Sequence, residues 1–262
     1  MHALDRGLQF DLATLLDRRA ALTLLGGAGL AALAGCGSTD PTPPPTTEGT
    51  DATGGRLEEI REETAGPFPG DGSNGPNVLT ESGIVRADIR PSFGSASGTA
   101  DGVPLRIELT VVEADTGDPL PGVAVYAWHC DRGGAYSLYS PGAEEKNYLR
   151  GVQEADGAGA LAFTSIFPAA YAGRWPHVHF EVYPALADAT SAGTRLVTSQ
   201  LALPQDACEA VYATDGYEQS VANLARTSLE SDGVFSDGWD TQLADVTGDA
   251  TNGYAATLTV PV

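Results

Sequence analysis

Apolar and polar positions alternate through LRIELTVVEA, residues 105–114, placing Leu105, Ile107, Leu109 and Val111 on one face of an extended chain. Successive strand side chains point to opposite sides, so this spacing predicts a strand with one face buried. TGDPLPG then supplies a turn, and VAVYAWHC at 123–130 resumes an extended run. Further strand candidates are ALAFTSI (160–166), HVHFEVY (177–183), RLVTSQLAL (195–203) and ATLTVPV (256–262). Turn-rich connections separate these runs, without a strand–helix–strand rhythm. The prediction is a mostly β fold, an antiparallel β-sandwich with long loops and a few short helices. DACEAVYA and SVANLARTSLE, ahead of the last strand, are the helix candidates.

Composition agrees with this reading: 32 glycines and 17 prolines are spread among short runs rich in Val, Leu, Thr and Tyr. A chain of 262 residues is long enough to bury a substantial core, but its first quarter is different. DRRAALTLLGGAGLAALAGCGS has the order of an export signal: Arg18–Arg19, an apolar stretch from Ala20 to Ala34, then small residues before Cys36. That stretch is short and rich in Gly and Ala for a membrane-spanning helix. The arginine pair resembles a twin-arginine signal. LAGC, ending at Cys36, resembles a lipobox, in which the cysteine carries the lipid. STDPTPPPTTEGTDATGG follows and reads as a disordered tether. The expected organisation is an export signal over 1–36, a tether over 37–55 and one folded β-sandwich domain over 56–262. The product would be an extracytoplasmic protein anchored to the membrane through Cys36.

The formal charge of −21 comes with a single lysine, Lys146. No basic stripe exists to follow a phosphate backbone, so nucleic acid is excluded as a partner. The three arginines and three aspartates of residues 1–36 cancel, leaving the acidity to the remainder of the chain. Beyond Cys36 only Cys130 and Cys208 remain. Outside the cytoplasm such a pair favours a disulfide. Its rival, a zinc site shared with histidines, lacks the Cys-x-x-Cys spacing.

Two of the four histidines, His177 and His179, stand at i and i+2 of one predicted strand. They therefore present two imidazoles to the same side, where they can hold one metal ion or form a structural pair. A cupin-type site would add Glu181 and a later histidine, and no histidine follows His179. Tyrosine stands out nearby, in GGAYSLYS and FPAAY. A phenolate is a hard, electron-rich donor suited to ferric iron, whose charge removes the phenol proton.

Taken together, AVYAWHCDRGGAYSLYS and NYLRGVQEADGAGALAFTSIFPAAYAGRWPHVHF resemble the intradiol ring-cleavage dioxygenases in order, spacing and filler. SGIVRADIRPSFG upstream and LVTSQLAL downstream extend the likeness over residues 62–203. The resemblance implies non-haem Fe(III) held by Tyr136, Tyr171, His177 and His179. Tyr139 is the rival of Tyr136, which has the Gly-x-Tyr-Ser setting. It further implies that Tyr171 yields to the substrate, that Arg174 offsets negative charge on the substrate ring, and that Gln200 lies near it. The implied reaction opens a small aromatic diol with O2 into a muconate-type diacid. Ala169 follows Pro168 where the family usually has glycine, and Tyr126 stands where it commonly has an acid; both bear on pocket shape. The rival readings are a non-catalytic transthyretin-like or adhesin-type sandwich and a zinc or cupin-like metal protein.

Overall fold

The computed structural model describes residues 56–191 and 193–262. The expected export signal, the Cys36 lipid site and the 37–55 tether lie outside the described residues. Eight strands form the fold: β1 (Pro104–Val112), β2 (Ala124–Trp128), β3 (Arg150–Glu154), β4 (Ala160–Ile166), β5 (His177–Tyr183), β6 (Val197–Ala202), β7 (Asp245–Asp249) and β8 (Gly253–Pro261). Three short helices join them: α1 (Leu186–Ala189), α2 (Gln205–Tyr212) and α3 (Glu218–Leu224). One sheet has the order β4-β1-β8-β7 and the other β3-β2-β5-β6. All pairs are antiparallel except β1 with β8, which run parallel. The mostly β sandwich expected from the alternation is therefore present. β3, β7 and α1 were not predicted; β3 carries Gly151 and β7 is largely exposed, so neither shows a clean apolar alternation.

The two sheets bury a common core. Leu105, Ile107, Leu109 and Val111 of β1 face Val125 and Ala127 of β2, and Val178, Phe180 and Val182 of β5. Each such large side chain contributes on the order of 1.5–3 kcal/mol on leaving water. β1 is buried on alternate residues until Val111 and Val112 at its end, whereas β2, β5 and β6 are buried throughout. The difference arises because a second apolar layer covers the outer face of their sheet. Val78, Leu79, Ile84 and Phe93 from the chain before β1 pack there with Tyr126, Trp128, Tyr136 and Tyr183.

Loops thus roof the outer face, and the polar residues of β5 point under that roof. Segment 84–89 also links the sheets, since Val152 N–H donates to Ile84 O and Ile89 N–H to Thr164 O. At the opposite edge, Glu63 N–H donates to Thr198 O of β6. Among the described residues no helix is long and apolar enough to cross a membrane.

Candidate active site

The strand period puts His177 and His179 on the roofed face of β5. Pairing β5 with β2 sets Trp128 opposite His179, and the two rings stack at 4.9 Å with 4° between their planes. Pairing β5 with β6 sets Gln200 on the other side of His179. The third and fourth contributors come from loops. Tyr136 sits between β2 and β3, its N–H donating to Ser140 Oγ at 2.9 Å and its carbonyl accepting from Ser140 N at the same distance. Tyr171 sits between β4 and β5 in a tight turn, where Arg174 N–H donates to Tyr171 O at 3.3 Å. Gly173 has φ +83, as the third position of a type II turn requires.

These four side chains meet. The Nε2 atoms of His177 and His179 are 3.0 Å apart. Tyr171 Oη lies 3.2 Å and Tyr136 Oη 3.5 Å from His177 Nε2, and the two phenol oxygens are 3.5 Å apart. Donors about 2.0–2.1 Å from one metal ion stand about 2.8–3.4 Å apart at angles between a right angle and the tetrahedral value, and about 3.5 Å apart as the angle nears 120°. The spacing therefore fits a shared ion. His177 Nδ1–H donates to Trp175 O at 2.5 Å, which leaves its Nε2 lone pair facing the centre. Among the described residues no group of three or more His, Cys, Asp or Glu side chains could hold a metal. The donor set here has instead two imidazoles and two phenols, a combination suited to a ferric ion.

Electrostatics favours neutral donors waiting for a cation. Burial and then the Arg174 guanidinium lower the His177 pKa to about 3. Burial and the charges of His177 and Arg174 put His179 well below the usual imidazole value. Burial, followed by the Tyr171 neighbour, raises Tyr136 well above the usual phenol value. Its proton would leave only against a strong positive charge at the centre.

Arg174 is buried beside this group. Its Nη2 donates to Gln200 Oε1 at 2.6 Å and its Nε to Asp232 Oδ2 at 3.0 Å. Gln200 is anchored in turn, donating from Nε2 to Thr64 O at 2.9 Å. The predicted Gln200 thus acts on the arginine, and Asp232 is a residue the sequence reading missed. Both Asp232 oxygens are used: Oδ2 also accepts from Trp175 N, and Oδ1 from Val234 N and Phe235 N. Burial would raise this carboxyl, but Arg174 and the backbone N–H groups hold it below the usual range. Asp232 lies 58 positions from Arg174, so no local spacing connects them. Glu63, also missed, is buried in the strap over β6, and its pKa is raised to about 8.

Other candidates are occupied elsewhere. Tyr139 Oη accepts from Gly70 N at 2.9 Å, leaving Tyr136 as the tyrosine at the centre. Glu181 is held by Tyr183 Oη at 2.6 Å and Arg195 at 2.9 Å. His129 lies between Cys130 O and Ser165 Oγ. The expected Cys130–Cys208 disulfide is corrected: both are free, buried thiols. Cys130 belongs to the layer under the roof and approaches Ala169 O, whereas Cys208 lies in the inter-sheet core near Leu203 O. Burial raises both thiols, which makes them inert rather than zinc-binding.

The fold has solved counterparts. An intradiol ring-cleavage dioxygenase from Tetranychus urticae is similar with a TM-score of 0.56 and 22% identity over 69% of this chain and 87% of that one. A second dioxygenase crystal structure gives 0.61 and 21%, covering 78% of this chain and 94% of that one. The dioxygenase domain of a carbohydrate-binding fusion from the cellulolytic bacterium Streptomyces sp. SirexAA-E gives 0.50 and 20%, covering 78% and 98%. No curated protein matches the chain by sequence. The family model described as Dioxygenase matches residues 86–228, more than half of the chain. That span contains all four converging donors and Arg174, and with it the chain belongs to the intradiol ring-cleavage dioxygenases, oxidoreductases that open catechol-type rings.

Proposed function

We propose that this protein opens a small aromatic diol between its two hydroxylated carbons, placing both atoms of O2 in a muconate-type diacid, with non-haem Fe(III) as its metal. The observation that carries this reading is the meeting of two phenol oxygens and two imidazole nitrogens, each no more than 3.5 Å from the next, beside a buried guanidinium. Tyr136, Tyr171, His177 and His179 would hold the iron. When bound, it supplies a Lewis acid that takes up the deprotonated diol and makes the ring reactive toward O2.

The chain's own groups account for the rest. Tyr171 is half-buried while Tyr136 is buried under Phe68, so Tyr171 Oη, which would be a phenolate with the metal held, is the oxygen placed to take a proton from an arriving diol hydroxyl. Arg174, held by Asp232 and Gln200, offsets negative charge developing on the ring; the buried setting keeps water from screening it. Trp128 keeps the His179 ring plane fixed. The order of Arg18–Arg19, the apolar stretch and Cys36 supports an exported protein, lipid-anchored at Cys36 and held off the membrane by residues 37–55.

Purified, iron-loaded full-length protein tests the reading. The expected result is a visible phenolate-to-iron absorption band and, from catechol under isotopically labelled O2, a diacid carrying both labelled atoms. Colourless protein that prefers zinc, or a ring-opened aldehyde product, would overturn it.

A further inference from the structure

Arg150, the first residue of β3, is 1% exposed, yet among the described residues no carboxylate pairs with it. All five of its N–H groups are spent on uncharged oxygens. Nε donates to Ser137 Oγ at 3.0 Å; Nη1 donates to Pro69 O at 2.8 Å and Tyr126 Oη at 3.1 Å. Nη2 donates to Phe68 O at 2.9 Å and Ser137 O at 3.0 Å. One planar guanidinium therefore ties the strap at 68–69, the sheet at Tyr126 and the loop at Ser137 to a single point, a geometry that lysine cannot copy.

What it ties is the neighbourhood of Tyr136. Ser137 follows that tyrosine directly, and Phe68 packs on the Tyr136 ring at 5.1 Å. Gly70 completes the strap: a Cβ there would lie 2.9 Å from Arg150 Nη1. The backbone around the clamp is strained. Leu138 and Leu149, which flank Ser137 and Arg150, have φ of +73 and +55 and are the only non-glycine residues with positive φ among the described residues. Leucine adopts that region only where its surroundings over-determine it, and the bonds to Arg150 supply such a constraint.

We propose that Arg150 is a positioning residue for the Tyr136 phenol: its clamp holds loop 136–139 so that the phenol oxygen stays within reach of His177 and Tyr171 before any ion arrives. The inference rests on the metal centre proposed above, and its test separates the two. Full-length Arg150→Gln, Arg150→Lys and Ser137→Ala would be compared with wild type by hydrogen exchange of the metal-free protein and by Fe(III) titration followed in the visible band.

In Arg150→Gln, exchange in the peptide over 136–143 should rise by about tenfold or more while β1 and β8 keep wild-type protection. Its iron affinity should fall by about tenfold, with a weaker or shifted band. Arg150→Lys should recover part of both. Should neither arginine variant fold, Ser137→Ala, which removes one acceptor, should show the same changes on a smaller scale. Unchanged loop exchange, or a band and affinity equal to wild type in a folded variant, would overturn the proposal. A wild type that takes up no ferric iron would sink the metal reading, while exchange in the metal-free loop would still decide the clamp.

Discussion

Replacing Glu63 with glutamine isolates one buried carboxyl whose proton affinity responds to Arg174. Burial is the main reason its pKa rises from 4.5 to about 8; Asp237 and Asp232 add to the rise, and Arg174 and Gln242 oppose it. The folded protein therefore holds this proton more tightly than the unfolded chain does. Stability from the protonated carboxyl is complete below pH 4.5 and is lost as pH rises through about 8. At ~1.4 kcal/mol per tenfold change in proton affinity, the loss is about 3 kcal/mol by pH 7 and about 4–5 kcal/mol when the group is fully ionised. Glu63→Gln keeps the shape and removes the ionisation. Its advantage over wild type should be small at pH 5 and grow to about 3 kcal/mol at pH 7, or roughly 6–12 °C in Tm for a domain of this size. Urea denaturation of both proteins across pH 5–8 measures the difference directly. A difference that stays flat over that range would show that the carboxyl is already ionised in the folded state, and the argument from burial would fail.

Three further outcomes follow from the site. Asp232→Ala should cost about 3–5 kcal/mol in chemical denaturation, because it removes the buried carboxylate that faces the Arg174 charge and accepts from its Nε. Wild-type Asp232 contributes fully above its ordinary carboxyl value of 3.8, and that contribution is lost as pH falls through its lowered folded-state value. Tyr136→Phe should lose the iron, and with it the visible band and turnover, while costing only about 1 kcal/mol of stability, since the phenol's nearest partners lie at 3.5 Å. Cys130 and Cys208 should both react with an alkylating agent when the protein is unfolded without reductant, read by mass spectrometry of the two peptides; an unlabelled, cross-linked pair would contradict the free thiols.

Legibility differed between fold and site. β1 could be read because its alternation matches a sheet with one face in the core and one toward solvent. β5 could be placed, since Val178, Phe180 and Val182 alternate with His177, His179 and Glu181, but nothing in the strand itself records that its polar face is buried too, under the roof. The chemistry of His177 and His179 was visible as a pair at the strand period, and Tyr136 and Tyr171 were visible through the family-like spacing. β7 escaped notice because it is short and mostly exposed.

By itself, the sequence determined the sandwich, since period-two alternation needs a second apolar surface to bury, and it offered His177 and His179 as a strand pair, with Tyr171 and either Tyr136 or Tyr139 added through the family resemblance. Only the tertiary structure decided that Tyr136, rather than Tyr139, reaches the imidazoles, that Asp232 and Gln200 hold Arg174, and that Cys130 and Cys208 lie in different layers without bonding. The physical reason is distance along the chain. Those contacts join residues tens of positions apart, and nothing in local periodicity records which loop folds back over which face.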